Sequence, residues 1–273
     1  MKLNKYELFS LKKIEKWEKE QHKGFHKKIL DFTSKPVDYV IKKIGPENLK
    51  NFENVIEAAV GKILYTSTFT VNSDKLIKRA HDHGIKIDDL SQLKQCNLKL
   101  LDDCNRKHIS YHGKAAAIQG AAAGLGGGLV ATADIATILI QDFHMIQEIA
   151  FCYGYDPNAI IEKEIILRTI EAAIGGSKVK FKALREIELI KEIKGRENEG
   201  KADKKGIQVL GAKALGEVIE TLTAALLVRL IPRSLPVVSI LFSAHSNHEI
   251  MEHSGEMAFM VYRKRFIERK KTL

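Results

Sequence analysis

Hydrophobic residues recur along most of the chain at intervals of three and four, the spacing that places them on one face of an α-helix. In the first such run, residues 5–31, the apolar face contains Leu8, Leu11, Ile14 and Trp17, and Lys/Glu pairs lie opposite. No long run alternates with a period of two, and no βαβ rhythm appears. The pattern therefore predicts an all-α fold, a single multi-helix bundle that spans residues 1–273 as one domain.

Glycine, proline and charge divide this pattern into elements. Residues 34–36 suit a helix start, and Gly45–Pro46 marks a break before a helix at Leu49–Leu64. The segment 191–206 is charged, contains glycine and has almost no apolar residue, which predicts an exposed linker. Three further helices are predicted, at residues 90–108, 207–230 and 243–271.

The least charged stretch of the chain is KAAAIQGAAAGLGGGLVATADIATILIQDF, residues 114–143. Its 19 uncharged residues between Lys114 and Asp134 approach the ~20 that cross a bilayer, but most are Ala and Gly. The GLGGG sequence resembles a phosphate-binding loop, but no strand precedes it and no Gly-Lys-Ser/Thr follows. Gly120, Gly124 and Gly128 recur every four residues, so one helix face has little side-chain volume and favours close helix packing.

We therefore expect a central Ala/Gly-rich helical hairpin. Asp134 is placed to cap its second arm, and Gly154, before Pro157, is placed to end that arm in a left-handed conformation. The apolar face of this arm is predicted to contain Ile135, Ile138, Leu139, Ile146 and Ile149.

Charge adds a candidate surface. The formal net charge is +10, and residues 1–50 contain 13 Lys against 7 Asp or Glu. Such an excess attracts anionic membranes or nucleic acid, but interleaved acidic residues and the lack of a recognised binding motif argue against nucleic acid. The basic residues expected to form one membrane-facing surface are Lys12, Lys13, Lys27, Lys28, Lys42, Lys43, Arg263, Lys264, Arg265, Arg269, Lys270 and Lys271.

The cysteines indicate a reducing compartment. Cys96, Cys104 and Cys152 cannot all pair within one chain, and the N-terminal residues lack the apolar core of a signal peptide. A cytoplasmic location is therefore expected, peripheral on the inner face of the membrane if the basic surface binds lipid. All three cysteines fall on or near apolar faces and are predicted to be buried hydrophobic residues without a Cys-His arrangement.

Two groups of polar residues have the spacing of metal ligands. Imidazole and carboxylate groups one helical turn apart can bind transition metals in helical bundles. A solvated face is the favoured interpretation, so no cofactor is expected, with a divalent metal as the alternative. The candidate ligands are His144, Glu148, His245, His248, Glu249 and Glu252.

Asn247 lies at the edge of an apolar stripe, where a buried amide must find partners. We expect a polar clasp between Asn247 and either Asp134 or backbone groups near the glycine hairpin.

The order GAAAGLGGG…ADIATIL…IQEIAFCYGYD resembles the signature of the EcsC protein family. KKIEKWEKE, with Trp17, resembles the N-terminal helix of that family, and VRLIPRSLPVVSILFSAHSNHEIMEHSGEMAFMVYRKRF resembles its C-terminal half, so the resemblance covers residues 8–270. Ser239 and Ser243 stand where the family tends to have Gly, and Ala136 where it has Pro. The hairpin is also loosely similar to helical membrane segments beside dynamin-like and Era-like GTPases.

The EcsC-like family is named for a protein encoded beside an ABC exporter linked to secretion. The resemblance implies an α-helical, bacterial-type protein, cytoplasmic or peripheral at the membrane, and it implies no reaction. The function expected from the sequence is a non-enzymatic helical protein at the cytoplasmic membrane face, accessory to an ABC transporter or secretion, with an anionic membrane surface or a membrane-protein complex as partner. Two alternatives are a metal-dependent hydrolase, with a site between the glycine hairpin and the C-terminal helix, and a carrier of an apolar ligand or lipid.

Overall fold

Helices account for the regular secondary structure of the computed structural model, which describes residues 2–22, 35–65, 72–124, 128–198, 204–227 and 236–272. The predicted all-α bundle is confirmed. The α-helices of these ranges are α1 (Lys5–His22), α2 (Lys35–Tyr65), α3 (Ser73–Asp82), α4 (Leu98–Gly124), α5 (Gly128–Cys152), α6 (Ile160–Ile174), α7 (Ser177–Asn198), α8 (Lys204–Leu227) and α9 (Pro236–Thr272). A short 3₁₀ helix at Leu90–Gln95 precedes α4.

Several helix boundaries follow from local sequence. Gly45 has φ 78° and interrupts α2 at the predicted Gly45–Pro46 break. The side chain of Asn72 caps α3 by accepting a hydrogen bond from the backbone N–H of Lys75 at 3.0 Å. Gly154 has φ 77° just after α5, as predicted from the YGYDPN sequence.

Two predictions about boundaries are wrong. Helix α5 begins at Gly128, so Asp134 lies inside the helix instead of capping it. Helix α7 continues through Asn198, so residues 191–198 are helical and not part of a linker. Lys191 is held there by Glu188 and Glu268, at 2.5 and 2.7 Å, because α7 lies near the end of α9. Residues 199–203 lie outside the description.

The core forms around α9, which packs along α4 and also contacts α5 and α6. A Cβ atom added at Gly255 of α9 would lie 2.7 Å from Cγ2 of Ile109 in α4. One added at Gly113 of α4 would lie 2.9 Å from Oε1 of Glu252 in α9. The backbones of α4 and α9 therefore approach closely at these two glycines. No helix in the described ranges has the length and hydrophobicity needed to cross a membrane.

The glycine stretch is described in part. Gly120 is buried in α4, as close packing requires. The surroundings of Gly124 and Gly128, at the facing ends of α4 and α5, lie outside the described residues, so the predicted packing there stays a prediction. On the second arm, Ile138, Leu139, Ile146 and Ile149 are buried as expected.

Polar residues take the inner face of α1. Glu7 and Ser10 are 0% exposed beside Ile14, which is 1% exposed, whereas Leu8 is 49% exposed. The prediction that Leu8 shares the buried face is therefore wrong. The reason is that two cationic side chains of α9 contact this face. Nζ of Lys270 lies 2.5 Å from Glu7, and Nη2 of Arg263 donates to Oγ of Ser10 at 2.6 Å.

A buried charge network joins α1, α4 and α9. Arg263 pairs with Asp102 at 2.7 Å. The hydroxyl group of Tyr6 donates to the Asp102 carboxylate at 2.8 Å, and that of Tyr153 donates to it at 2.7 Å. Nearby, Arg265 binds Glu162 through two nitrogens, at 2.7 and 2.6 Å. Arg263 and Arg265 are only 2% and 6% exposed, so the prediction that they belong to an exposed basic surface is wrong.

Candidate functional site

Five residues with metal-ligand chemistry meet where α4 packs on α5. Helix α4 presents Cys104, His108 and His112, which are separated by one helical turn each, and α5 presents Glu148 and Cys152 in the same way. The possible ligand atoms of Cys104, His108 and Cys152 all lie within 4.8 Å of one another. Those of His108, His112 and Glu148 form a second group with the same spacing, so His108 is common to both groups. We call these five residues the Cys/His/Glu cluster.

The cluster is closed at one end and open at the other. Cys104 is 1% exposed and Cys152 7%, so the sulfur atoms lie at the closed end. The side chains of His112 and Glu148 are 17% and 19% exposed, and that of Arg79, from α3, is 34% exposed. The side of the cluster nearer to solvent is therefore that of Arg79, His112 and Glu148.

The carboxylate of Glu148 organises the open end. Its Oε2 atom lies 2.7 Å from Nη1 of Arg79, 2.9 Å from Nε2 of His112 and 3.2 Å from Nδ1 of His108. One oxygen of α5 thus contacts three cationic or polar side chains from two other helices, α3 and α4. Because burial is offset by the hydrogen bonds and charges of His108 and His112, the pKa of Glu148 lies well below its usual range.

The hydrogen bonds of His108 leave one ring nitrogen available. Nδ1 lies 2.9 Å from Nη1 of Arg79 as well as close to Glu148, and Nε2 has no hydrogen-bond partner in the described part of the chain. Arginine only donates, so Nδ1 can accept from Arg79 or donate to Glu148 but cannot do both. When Nδ1 donates to Glu148, the buried Nε2 has a free lone pair, which is the state of a histidine that binds a metal.

The sulfur atoms favour an ionised state at Cys104. Hydrogen bonding from the Cys152 thiol and the nearby charge of the His108 imidazole lower the pKa of Cys104, although burial opposes this. The same contact and burial raise the pKa of Cys152. Burial also opposes protonation of His108, but the sulfur of Cys104 and the carboxylate of Glu148 raise its pKa. Thiolate and imidazole ligands are those that zinc prefers.

Further imidazole groups surround the cluster. The ring of His83 lies edge-on to that of His108, with centroids 6.3 Å apart, and Nζ of Lys107 lies 3.3 Å from Nδ1 of His83. His144 lies one turn before Glu148 on α5, and burial lowers its pKa. The surroundings of the open end therefore contain two further imidazole side chains, those of His83 and His144.

The predicted metal ligands do not converge as a set. Glu148 joins the cluster, but its histidine partners are His108 and His112. His248 and Glu252 lie against Gly113 on a different face of α4, and the carbonyl oxygen of Glu249 is hydrogen-bonded to His253. The side chain of His245 lies outside the described residues.

Asn247 is 1% exposed, as a polar clasp requires. The side chain of Asp134 lies outside the description, so the contact between them stays a prediction.

The remaining basic residues divide into paired and exposed groups. Lys264 contacts Glu18 at 2.6 Å and Glu188 at 3.1 Å, and Arg269 donates to the carbonyl oxygens of Tyr153 and Gly154 at 2.9 and 3.3 Å. Exposed side chains are those of Lys12, Lys13, Lys42 and Lys271. Lys27 and Lys28 and the side chain of Lys43 lie outside the described residues.

The prediction that the cysteines take part in no Cys-His arrangement is wrong for two of them. Cys104 and Cys152 are buried as expected, but they lie beside His108 and each other. The spacing Cys104-x3-His108-x3-His112 was visible in the sequence. The contribution of α5 was not, because only the packing of the two helices brings Cys152 to this point.

Comparison with known proteins identifies relatives without a named activity. The model of the EcsC protein family matches residues 10–267. The uncharacterized protein YdbA of Bacillus subtilis (strain 168) is 26% identical over 261 residues, which cover 94% of this chain and 91% of YdbA. No solved structure matches the chain.

Proposed function

From the premise that the chain belongs to the EcsC protein family, and from the geometry of the Cys/His/Glu cluster, we propose that it is a zinc-type metal-dependent enzyme that performs hydrolytic chemistry. The observation that carries the proposal is the convergence of Cys104, His108 and Cys152 within 4.8 Å, with Nε2 of His108 lacking a hydrogen-bond partner among the described residues. A buried nitrogen of this kind needs a partner, and a metal ion supplies one.

The donor set selects the type of metal. Two thiolates and one imidazole are soft or borderline ligands, which favour zinc over magnesium or calcium. Cys104, His108 and Cys152 would hold the ion with three protein ligands, the number typical of catalytic zinc sites, whereas structural sites have four. The carboxylate of Glu148 supports this assignment, because a metal-binding histidine usually donates its other N–H to such a group.

The proposal assigns the other groups needed for hydrolysis to the open end, where Glu148 and Arg79 contact Nδ1 of His108. A zinc ion held in the cluster would supply the activation of water that hydrolysis needs. His112, oriented by its 2.9 Å contact with Glu148, is placed on the exposed side to accept a proton. The guanidinium of Arg79, which keeps 34% of its side-chain surface exposed, favours a substrate that develops negative charge during the reaction.

Of the functions expected from the sequence, this proposal selects the metal-dependent hydrolase. The hydrolase expected between the glycine hairpin and the C-terminal helix is placed by this proposal between the two arms, α4 and α5. A role at the cytoplasmic membrane face is compatible with it and rests on a different surface.

Metal analysis of the purified chain tests the proposal. The protein is expressed without an affinity tag that binds metal, and its bound metals are measured before and after dialysis against zinc. We expect about one zinc ion per chain, lost in C104S, C152S and H108A. The matched control C96S removes the third cysteine, whose sulfur contacts the carbonyl oxygen of Gln92 at 3.5 Å, and should retain the metal.

Two results would contradict the proposal. Wild-type protein that remains free of transition metal after dialysis would remove the metal centre. Equal metal content in C96S and C104S would place the metal elsewhere. If the metal is present, hydrolysis of phosphate and carboxylate esters that depends on His112 tests the enzymatic part separately, with H112A expected to retain zinc and lose turnover.

A further inference from the structure

We propose that the outer face of α1 docks the protein on an anionic lipid surface. Lys5, Leu8, Phe9, Lys12 and Lys13 follow one another at helical intervals and are all exposed, so they form a single stripe that Lys16 extends. Leu8 is 49% exposed and Phe9 53%. We call this stripe the outer face of α1, and the inference does not depend on the metal centre.

In the folded protein, some acidic side chains of α1 face the core, whereas its lysines face outward. Helix α1 contains acidic residues among its lysines, so along the sequence its charge looks nearly balanced. However, Glu7 turns inward to Lys270 at 2.5 Å, and Glu18 to Lys264 at 2.6 Å. Glu15 and Glu20 remain exposed, but because α9 neutralises the other two carboxylates, the exposed lysines of α1 outnumber its exposed acidic residues.

The lysines of the outer face are available for a partner. Across the described residues, no carboxylate lies within ion-pair distance of Lys5, Lys12 or Lys13. Lys13 instead lies 4.7 Å above the ring of Phe9, and Lys16 has a 3.8 Å contact with Glu20 while remaining 79% exposed. Such exposed pairs are weak and are exchanged easily for other anions.

The combination of groups favours lipid over other anions. An interfacial helix inserts apolar side chains at the boundary of headgroups and acyl chains, while its lysines contact anionic headgroups. Leu8 and Phe9 lie between Lys5 and Lys12 in the stripe, which fits this arrangement. Two apolar residues provide shallow insertion, so the attachment is reversible and sensitive to salt.

Sedimentation with vesicles tests the inference on the full chain. One set of vesicles contains phosphatidylcholine alone, and the other contains phosphatidylglycerol as well. We expect binding only to the anionic vesicles, falling as salt rises. The variant K12Q/K13Q should weaken binding about tenfold or more, because each lysine near the surface contributes independently. The variant L8S/F9S should also weaken binding to anionic vesicles, although it leaves the net charge unchanged.

A matched control separates the outer face from net charge. Lys75 and Lys78 are exposed on α3, so K75Q/K78Q makes the same change of charge elsewhere and should bind like the wild type. All variants change exposed positions, and an unchanged melting temperature verifies their folding. Equal weakening by K75Q/K78Q and K12Q/K13Q, absence of binding to anionic vesicles at low salt, or salt-resistant binding to neutral vesicles would each overturn the inference.

Discussion

Nη2 of Arg263 lies 2.7 Å from Oδ2 of Asp102, and the two side chains are only 3% and 2% exposed. The pair joins α9 to α4, and the hydroxyl of Tyr6 brings α1 to the same carboxylate. Removing one partner of a buried pair leaves an uncompensated charge. We therefore expect D102A to lower the free energy of unfolding by about 3–5 kcal/mol, measured by urea denaturation.

The neighbouring residue provides the control for this prediction. Asp103 is exposed, so D103A should change the free energy of unfolding by less than about 0.5 kcal/mol. If D102A and D103A have the same stability, the buried pair does not hold α4 to α9.

The Tyr6 hydroxyl predicts a dependence of stability on alkaline pH. Burial, together with the hydrogen bond to Asp102, raises the pKa of Tyr6 to about 12 in the folded protein, above its ordinary value of 10.0. The folded state therefore favours the protonated phenol, and this contribution is complete below pH 10 and lost as the pH rises through 12. Urea midpoints of the wild type and Y6F should differ below pH 10 and converge towards pH 12; a constant difference would contradict this.

Substitutions of two helical glycines should have opposite effects, because Gly255 lies where α9 approaches α4 closely and Gly61 of α2 lies in open space. A methyl group at Gly255 would meet the β-branched side chain of Ile109, which cannot rotate away easily. G255A should therefore lower the free energy of unfolding by about 1–3 kcal/mol. Gly61, inside α2, has no atom within 4 Å of its added Cβ, so G61A should raise the free energy of unfolding by about 0.5–1 kcal/mol. Thermal melts of both variants check the signs, and stabilisation by G255A would show that the helices are not in close contact.

The burial of the cysteines predicts their reactivity. Cys96 is half-buried, whereas Cys104 and Cys152 are buried behind His108. A disulfide reagent should modify one thiol quickly in the native protein and the other two only on unfolding, with C96S abolishing the fast phase. Added zinc should slow the modification of Cys104 and Cys152 further. Rapid modification of all three in the native state would contradict the closed end of the cluster.

The spacing of apolar residues was sufficient to predict the fold class, because each helix buries a stripe that the sequence records directly. It was misleading at α1, where Leu8 follows the apolar pattern but Glu7 and Ser10 are buried. Their burial depends on Lys270 and Arg263, which lie more than 250 residues away in the chain. A pattern within one helix contains no information about such distant partners.

The same limit applies to the candidate site. The turn-by-turn spacing of Cys104, His108 and His112 lies within α4 and was available from the sequence. Glu148 is among the candidate ligands predicted from the sequence, and His144, another candidate, lies one turn before it on α5. Only the packing of α4 on α5 directs Glu148 towards His108 and places Cys152 beside Cys104.

Cobalt substitution tests the central claim most directly, because it reports the identity of the ligands. Co²⁺ is added to the reduced, metal-free chain, and the absorption spectrum is recorded for the wild type, C104S, C152S and C96S. The account predicts thiolate-to-cobalt charge-transfer bands in the near ultraviolet that weaken in C104S and in C152S and persist in C96S. Absence of these bands in the wild type, or equal bands in all three cysteine variants, would contradict a metal centre formed by Cys104, His108 and Cys152.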